Sequence, residues 1–523
     1  MSPRPTPARL AVLALAGLLL LALSSTALAA PARPAPALAA ARTLSAITAP
    51  GGRLSGGPVV AGDRIVFAAD FDVEGRTELY SQPLAGGSPA RLAAGLPPGQ
   101  VETFQVAGAQ AVFTHRADGD RKLRLYRAPL AGGAAALIFG DYPDAAGDAP
   151  GGTGLTFSVS ADAARVVFRT DVVKASAFEL FSAPLAGGAP VKLNAPLPAS
   201  PPGSFALGVR DFKLSADGAL VVYELPRNLG GSDYSLYAVP AAGGASTLLA
   251  AEVSPYAGLG FAISPSGARV VFLAPVPGQP ALTITSVGAD GLGTTPLATV
   301  SSSRPGFAIT PDSARVVFDA TPPAQFTQFA ELRSVPIGGG ASALIADSVG
   351  NFTYPLPFVL SASGDQVYFN GASALLRAPV AGGAAPTTVL GTGTANLGTL
   401  KFTPDGARAL FLAPGAPQLY SHDVASGATV RLDDPALSAG GILDLRLAGG
   451  RALYVAGAAA QGPFDLYSVS VAGGPSVKVS GTLAPGENAV EAVAAAGQQA
   501  VFAPGFRDFR FPPPGFSIVR RIL

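Results

Sequence analysis

Leu79–Gly87 (LYSQPLAGG), Leu125–Gly133 (LYRAPLAGG), Leu180–Gly188 (LFSAPLAGG) and Leu236–Gly244 (LYAVPAAGG) are versions of one nine-residue unit. Looser versions start at Ile284 (ITSVGADG), Leu332 (LRSVPIGGG), Leu375 (LLRAPVAGG), Leu419 (LYSHDVASG) and Leu466 (LYSVSVAGG), and successive starts lie 43 to 56 residues apart. Self-similarity at this period is the signature of four-stranded propeller blades. The third unit shows how each blade is written. Leu155–Ser160 alternates with period two and predicts a first strand, Ala161–Ala164 a turn, and Arg165–Arg169 a buried second strand. Phe178–Ala183 is the third strand, Gly187 and Gly188 supply the positive φ of a tight hairpin, and Pro190–Asn194 is the outer fourth strand. The first turn returns at Ser215–Gly218, Ser264–Gly267, Thr310–Ser313 and Thr403–Gly406, each time followed by a Val/Phe/Leu strand.

These residues resemble the TolB-like, PD40-type WD40-like propeller repeat, with its S-P-D-G turn, R-hydrophobic-x-F strand and L-Y strand ending in Gly-Gly. The resemblance runs from about Leu54 to the C-terminus and implies an all-β propeller; it says little about function. It also implies an envelope protein as a plausible partner, although the α/β domain that precedes the blades in TolB is not evident here. Nine full units are followed by a partial tenth, Val490–Val493, Gln499–Phe502 and Phe516–Arg520, which lacks a fourth strand. Arg42–Thr48, ahead of the first unit, reads as the missing strand. The expectation is therefore about ten blades in one ring, closed by the two ends of the chain, against the 4–8 blades usual for propellers. Two smaller rings are the alternative, but no linker-like break in composition divides the chain.

Met1–Ala29 has the layout of a secretory leader: Arg4 and Arg9, an apolar run Leu10–Leu23, and the small-x-small site Ala27-Leu28-Ala29. The run has 14 residues, short for a bilayer core of about 30 Å. Residues 30–41 are a Pro/Ala tether and 42–523 the propeller. The expected location is secreted, periplasmic or cell-surface, with no integral membrane segment in the mature chain. There is no cysteine, which leaves core burial to hold the fold. With 35 basic and 34 acidic residues and no basic stripe, nucleic acid is not an expected partner.

Strand order divides the ring into two faces. First-to-second and third-to-fourth turns are short and share one face. The long insertions, at residues 140–154, 195–210, 319–328, 347–357 and 504–515, share the other, and binding residues concentrate on such loops. The candidates there are Tyr142, Asp144 and Asp148, an acidic aromatic cluster suited to a cation or basic group; Arg507 and Arg510, alternating with rings and suited to a carboxylate or aromatic ligand; and Phe352 and Tyr354, with Tyr234 and Tyr256, as pocket walls. Solvated crossovers and ordinary inter-blade packing are the alternative for each. Asp70, Asp72, Glu74 and Glu78 follow a calcium-like spacing, but the same string is the ordinary second-to-third turn of a TolB-like blade. His115 and His422 lie some six blades apart without a second ligand, so no metal or cofactor is expected. No Gly-x-Ser-x-Gly occurs and the chain ends inside its last blade, which argues against a serine hydrolase. A glycosidase- or lyase-like hydrolase with its site in the central funnel is the alternative function, with Glu491 and Asp444 the inner-strand carboxylates to consider. The expectation from sequence is a non-enzymatic binding or scaffold protein that recognises an envelope or extracellular protein, or a small ligand, through its long-loop face.

Overall fold

The computed structural model describes residues 42–46, 54–55, 57–70, 73, 75–140, 154–171, 177–197, 208–227, 233–254, 260–279, 281–300, 305–320, 329–350, 356–413, 418–460, 462–481, 489–496, 499–505 and 517–522. They form an all-β propeller. Nine sheets are each built from four consecutive antiparallel strands, and a further four-stranded sheet joins the last three strands of the chain to the strand Arg42–Ala46. In that closing sheet Arg42 faces Arg520, Thr43 faces Val519 and Ala46 faces Ser517, with a bulge between Thr43 and Ser45. The expected two-end clasp is present, over Arg42–Ala46 within the expected stretch. The inner strand of the first blade (Val59–Ala61) touches that of the closing blade (Ala489–Ala496), and Val501 packs with Ile65 and Phe67. One ring is closed. Among the described residues the helix is a single turn, Pro435–Ser438, and no helix is long and apolar enough to cross a membrane.

The second strands are hydrophobic on both faces because each blade is sandwiched between two others. Val66 and Ala68 pack toward Phe113 and Tyr126 of the second blade, Val167 toward Val221 and Tyr223 of the fourth, and Val317 toward Phe358 and Phe369 of the seventh. In several blades the second-strand ring lies directly opposite a third-strand ring and stacks on it. Phe67 and Tyr80 are 5.6 Å apart, Tyr223 and Tyr237 5.4 Å, Phe411 and Tyr420 5.7 Å, and Tyr454 and Tyr467 5.5 Å. This is why the motif spells Phe on one strand and Leu-Tyr on the next.

Polar residues of the repeat hold the short-turn face. The Ser160 hydroxyl donates to Asp162 at 2.5 Å and accepts from the Arg165 N–H at 2.9 Å, while Asp162 accepts from the Ala164 N–H at 3.0 Å. Thr310/Asp312 and Thr403/Asp405 repeat the arrangement. Where an arginine opens the second strand it reaches a third-strand serine: Arg64 to Ser81 at 2.7 Å, Arg165 to Ser182 at 2.9 Å, Arg269 to Ser286 at 2.7 Å and Arg451 to Ser468 at 2.6 Å. In the Gly-Gly turn, Gly243 has φ 98° and an added Cβ there would lie 2.7 Å from Val191 of the preceding blade, so backbone conformation and close packing both require glycine.

Candidate functional site

Near their long-loop ends the third and fourth blades carry charged side chains at positions that several other blades fill with aliphatic residues. In the second strand, the residue after the stacked ring is Ala68, Leu273, Leu412 or Val455 in other blades, but Arg169 in the third and Glu224 in the fourth. In the inner strand, Lys213 occupies the place that Ala262, Ala308 and Val359 take in other blades, and Lys401 holds the same place in the eighth, donating to the Leu445 carbonyl at 2.7 Å. The side chains at these positions face the following blade. Arg169 donates to the carbonyls of Val209 and Arg210 of the fourth blade, and Lys213 Nζ donates to the Phe261 carbonyl of the fifth at 2.6 Å.

Each cation lies on an aromatic ring. Arg169 is 4.7 Å from the Phe178 centroid, Arg210 4.6 Å from Tyr234 and Lys213 4.7 Å from Phe261. Glu224 is buried, and its Oε2 lies 3.8 Å from Arg210 Nη1, an ion pair too long for a hydrogen bond. Burial pushes the Glu224 carboxyl up to about 7; Arg210 and Lys213 pull it back and Asp211 pushes it further up. Burial likewise lowers Lys213, against Asp211 and Glu224, and lowers Arg169, against Asp211. Elsewhere at this position in the second strand the polar side chains bond to backbone. Asn370 bonds both ways with Ala395 at 2.8 and 2.9 Å, and Thr114 accepts from Thr103 N–H at 3.1 Å. Asp319, raised to about 6 chiefly by burial, accepts from Gly306 N–H. By contrast Glu224 Oε2, Ser254 Oγ, Thr170 Oγ1 and Arg169 Nε are buried with no hydrogen-bond partner among the described residues.

Tyr142, Asp144, Asp148, Phe352, Tyr354, Arg507 and Arg510 lie outside the described residues, as do Tyr256, Asp72 and Glu74. Tyr234 is half-buried beneath Arg210. Two of the acids considered for calcium are engaged otherwise: Asp70 accepts from Gly75 N–H at 3.2 Å, and Glu78 pairs with Arg91 at 2.9 Å. Asp444 pairs with Arg446 at 3.0 Å, and the side chain of Glu491 is outside the described residues. His115 is buried edge-on to Tyr126 at 6.0 Å. Reading residue classes along single loops passed over Arg169, Arg210, Lys213 and Glu224. Superposing the repeats position by position would have set Arg169 and Glu224 apart from Ala68, Leu273, Leu412 and Val455 at the same place in other blades.

No protein-family model matches the chain, and no curated protein does. Solved structures that match include one from a study of two prolyl endopeptidases, at 13% identity and TM-score 0.37 over 68% of this chain and 54% of that one. Another is a putative TolB from Agrobacterium tumefaciens, at 20% identity and TM-score 0.26 over 47% and 80%. A third is a puromycin-hydrolysing peptidase of Mycobacterium tuberculosis, at 15% identity and TM-score 0.35 over 78% and 57%. The chain thus spans about half the length of the prolyl endopeptidase it matches. These are likenesses at low identity and low TM-score, and the propeller architecture rests on the sheet topology of the chain itself. The expectation of a non-enzymatic protein is corrected here, since two of these three propeller structures are from peptidases. A propeller is a scaffold that serves binding and catalysis alike. The missing Gly-x-Ser-x-Gly excludes one nucleophile motif, not catalysis.

Proposed function

We propose that this ring is a recognition platform whose long-loop face, floored by Arg169, Arg210, Lys213 and Glu224, binds a protein or small ligand. The supporting observation is the concentration there of buried polar atoms without hydrogen-bond partners among the described residues, Arg169 Nε, Thr170 Oγ1, Glu224 Oε2 and Ser254 Oγ. A buried polar group in the wrong company costs stability, and sites of function are where such costs are retained. The leader-like layout of residues 1–29 supports a location in the periplasm, at the cell surface or outside the cell. An envelope or extracellular protein is the partner such a location makes available.

The test is capture from envelope extract by the full chain and by two variant sets. The first set changes the long-loop face: Arg210→Gln with Lys213→Gln, and separately Tyr142, Asp144, Arg507 and Arg510 to Ala. The second changes the short turns: Asp162, Asp217 and Asp405 to Asn. Loss of the captured partner in the first set with retention in the second is expected, with circular dichroism unchanged throughout. The reverse pattern would show the working face to be the other one.

A further inference from the structure

We infer that the short-turn face carries a binding site of its own, a cleft between the seventh and eighth blades that takes a small zwitterion, its carboxylate on Arg377 and its ammonium on Asp365 and Asp405. The cleft has a volume of about 650 Å³, within the roughly 300–1,000 Å³ of small-ligand pockets. It lies on the face opposite the recognition surface above and does not depend on that reading.

Departures from the repeat converge on this interface. Other blades pair an arginine opening the second strand with a third-strand serine, as in Arg64 with Ser81 and Arg269 with Ser286. In the seventh blade Gln366 is the opener and Arg377 holds the serine's place. Opposite Arg377 in register is Tyr368, where Val167, Val271 and Val317 stand in other blades. Asp365 takes the turn position of Ala164, Ala219, Ala268, Ala314 and Ala407. From the eighth blade, His422 packs edge-on to Tyr368 at 5.9 Å.

The charges of the cleft are not spent on one another. Arg377 donates to the Val424 carbonyl and, at 3.4 Å, to Thr387 Oγ1, and makes no ion pair among the described residues. Asp365 accepts from Ser361 and Ser363, and Asp405 from Thr403 and the Ala407 N–H, in each case through Oδ1. Each Oδ2 is left without a hydrogen-bond partner among the described residues. The Ser363 hydroxyl foremost at Asp365, and that of Thr403 at Asp405, hold these carboxyls below their ordinary value, so both are ionised at neutral pH. The Tyr368 hydroxyl and His422 Nε2 are buried in the same interface without partners among the described residues, and Arg377 and Asp365 are the charges that act on that hydroxyl. A lone cation entering the cleft meets Arg377, and a lone anion meets two carboxylates. A molecule with both charges satisfies all three groups, and this selects the zwitterion. The second blade is an internal control. The same exchange puts Arg127 opposite Val112 with Gln110 as opener, but Arg127 reaches Gln110 Oε1 at 3.4 Å and the first turn there, Gly108 and Ala109, has no acid.

The probes are glycine, glycylglycine and triglycine, zwitterions of increasing charge separation, each titrated calorimetrically into the full chain at neutral pH. The N-acetyl derivative of each, anionic only, and its amide, cationic only, are the matched single-charge probes. Saturable binding of at least one zwitterion is expected, weakened about tenfold or more by either blocking group. Arg377→Ser and Asp365→Ala each install the residue that other blades carry there, so circular dichroism should be unchanged while binding falls by a similar factor. Arg127→Ser should bind as the wild type does. No saturable binding of any of the three zwitterions to the folded wild-type chain overturns the inference, as does binding unchanged in Arg377→Ser. A blocked derivative that binds as tightly as its parent also overturns it, leaving a site for a lone anion or a lone cation. Equal loss in Arg127→Ser and Arg377→Ser overturns the placement of the site in this cleft.

Discussion

Glu224, between the fourth and fifth blades, and His422, between the seventh and eighth, are ionisable groups in positions that several other blades fill with aliphatic residues. His422 stands where other blades have Val239, Val287, Val335 and Val469. Its surroundings make it a neutral ring. The Thr429 hydroxyl donates to the Val389 carbonyl at 2.7 Å, so at the 2.9 Å contact His422 Nδ1 must be the donor and Thr429 the acceptor. Nε2 is then a bare acceptor, buried without a partner among the described residues, and the ring lies edge-on to Tyr368 at 5.9 Å. Burial, with Arg377 beside it, pushes His422 down to about 4 despite Asp423. Arg377 also lines a short-turn-face cleft of about 650 Å³ with Asp365 and Asp405. At Glu224 the neighbours are cations, the acid sits at the long-loop end, and it titrates near neutrality. The same departure from the repeat thus yields an uncharged packing element in one interface and a responsive charge cluster in the other. Company and face of the ring make the difference, not burial.

Removing the cation from each interface separates them most sharply. Arg210→Ala leaves Glu224 buried without its nearest counter-charge and should cost roughly 3–5 kcal/mol at pH 8, shrinking below pH 6 where the carboxyl is protonated with or without Arg210. Arg377→Ala removes a hydrogen bond to the Val424 carbonyl and relieves His422, so the loss should be about 1 kcal/mol. Urea denaturation of both variants measures this, and equal losses at pH 8 would erase the distinction.

The pH profiles come next, with opposite signs. Glu224 is raised from 4.5 to about 7, so its folded form is penalised as pH climbs through that window, by up to about 3 kcal/mol. His422 is lowered from 6.5 to about 4, so its contribution is intact above pH 6.5 and is lost as pH falls toward 4, again by up to about 3 kcal/mol. Subtracting the melting profile of Glu224→Gln from wild type should show a slope falling toward pH 7; the same subtraction for His422→Val should show one falling toward pH 4. Slopes of the same sign would refute the contrast.

The smallest expected effect is a control remote from both interfaces. Ser160→Ala breaks one short turn, in which the hydroxyl both donates to Asp162 and accepts from Arg165 N–H, and should cost about 1 kcal/mol with little change between pH 6 and 8. A pH-dependent loss of the size expected at Glu224 would mean that the titration signals are spread through the ring.

Blade architecture was legible because it is local. Leu155–Val159, Arg165–Thr170 and Glu179–Pro184 form strands close to where alternation, the Asp-containing turn and the Gly-Gly turn predict them. The outer strand is the weakest signal, and Val191–Lys192 is shorter than the Pro190–Asn194 reading because few cross-strand partners hold its ends. The site was less legible. Most of the loop aromatics and charges chosen from sequence fall outside the described residues, whereas Arg169, Lys213 and Glu224 sit inside strands, where a charge looks like an ordinary solvent-facing residue.

The sequence by itself determined the blade, its strand order, the number of repeats and the pairing of the two chain ends, since each follows from a motif and its recurrence. Only the tertiary structure decided that Arg169 reaches the Arg210 carbonyl 41 residues on, and that Lys213 reaches Phe261 48 residues on. Period-two alternation tells which side of a sheet a residue occupies. Which side chain of the next blade it meets depends on how the blades stack around the ring. There, desolvation lowers the half-buried Lys213 and raises the buried Glu224, each opposed by neighbouring charges.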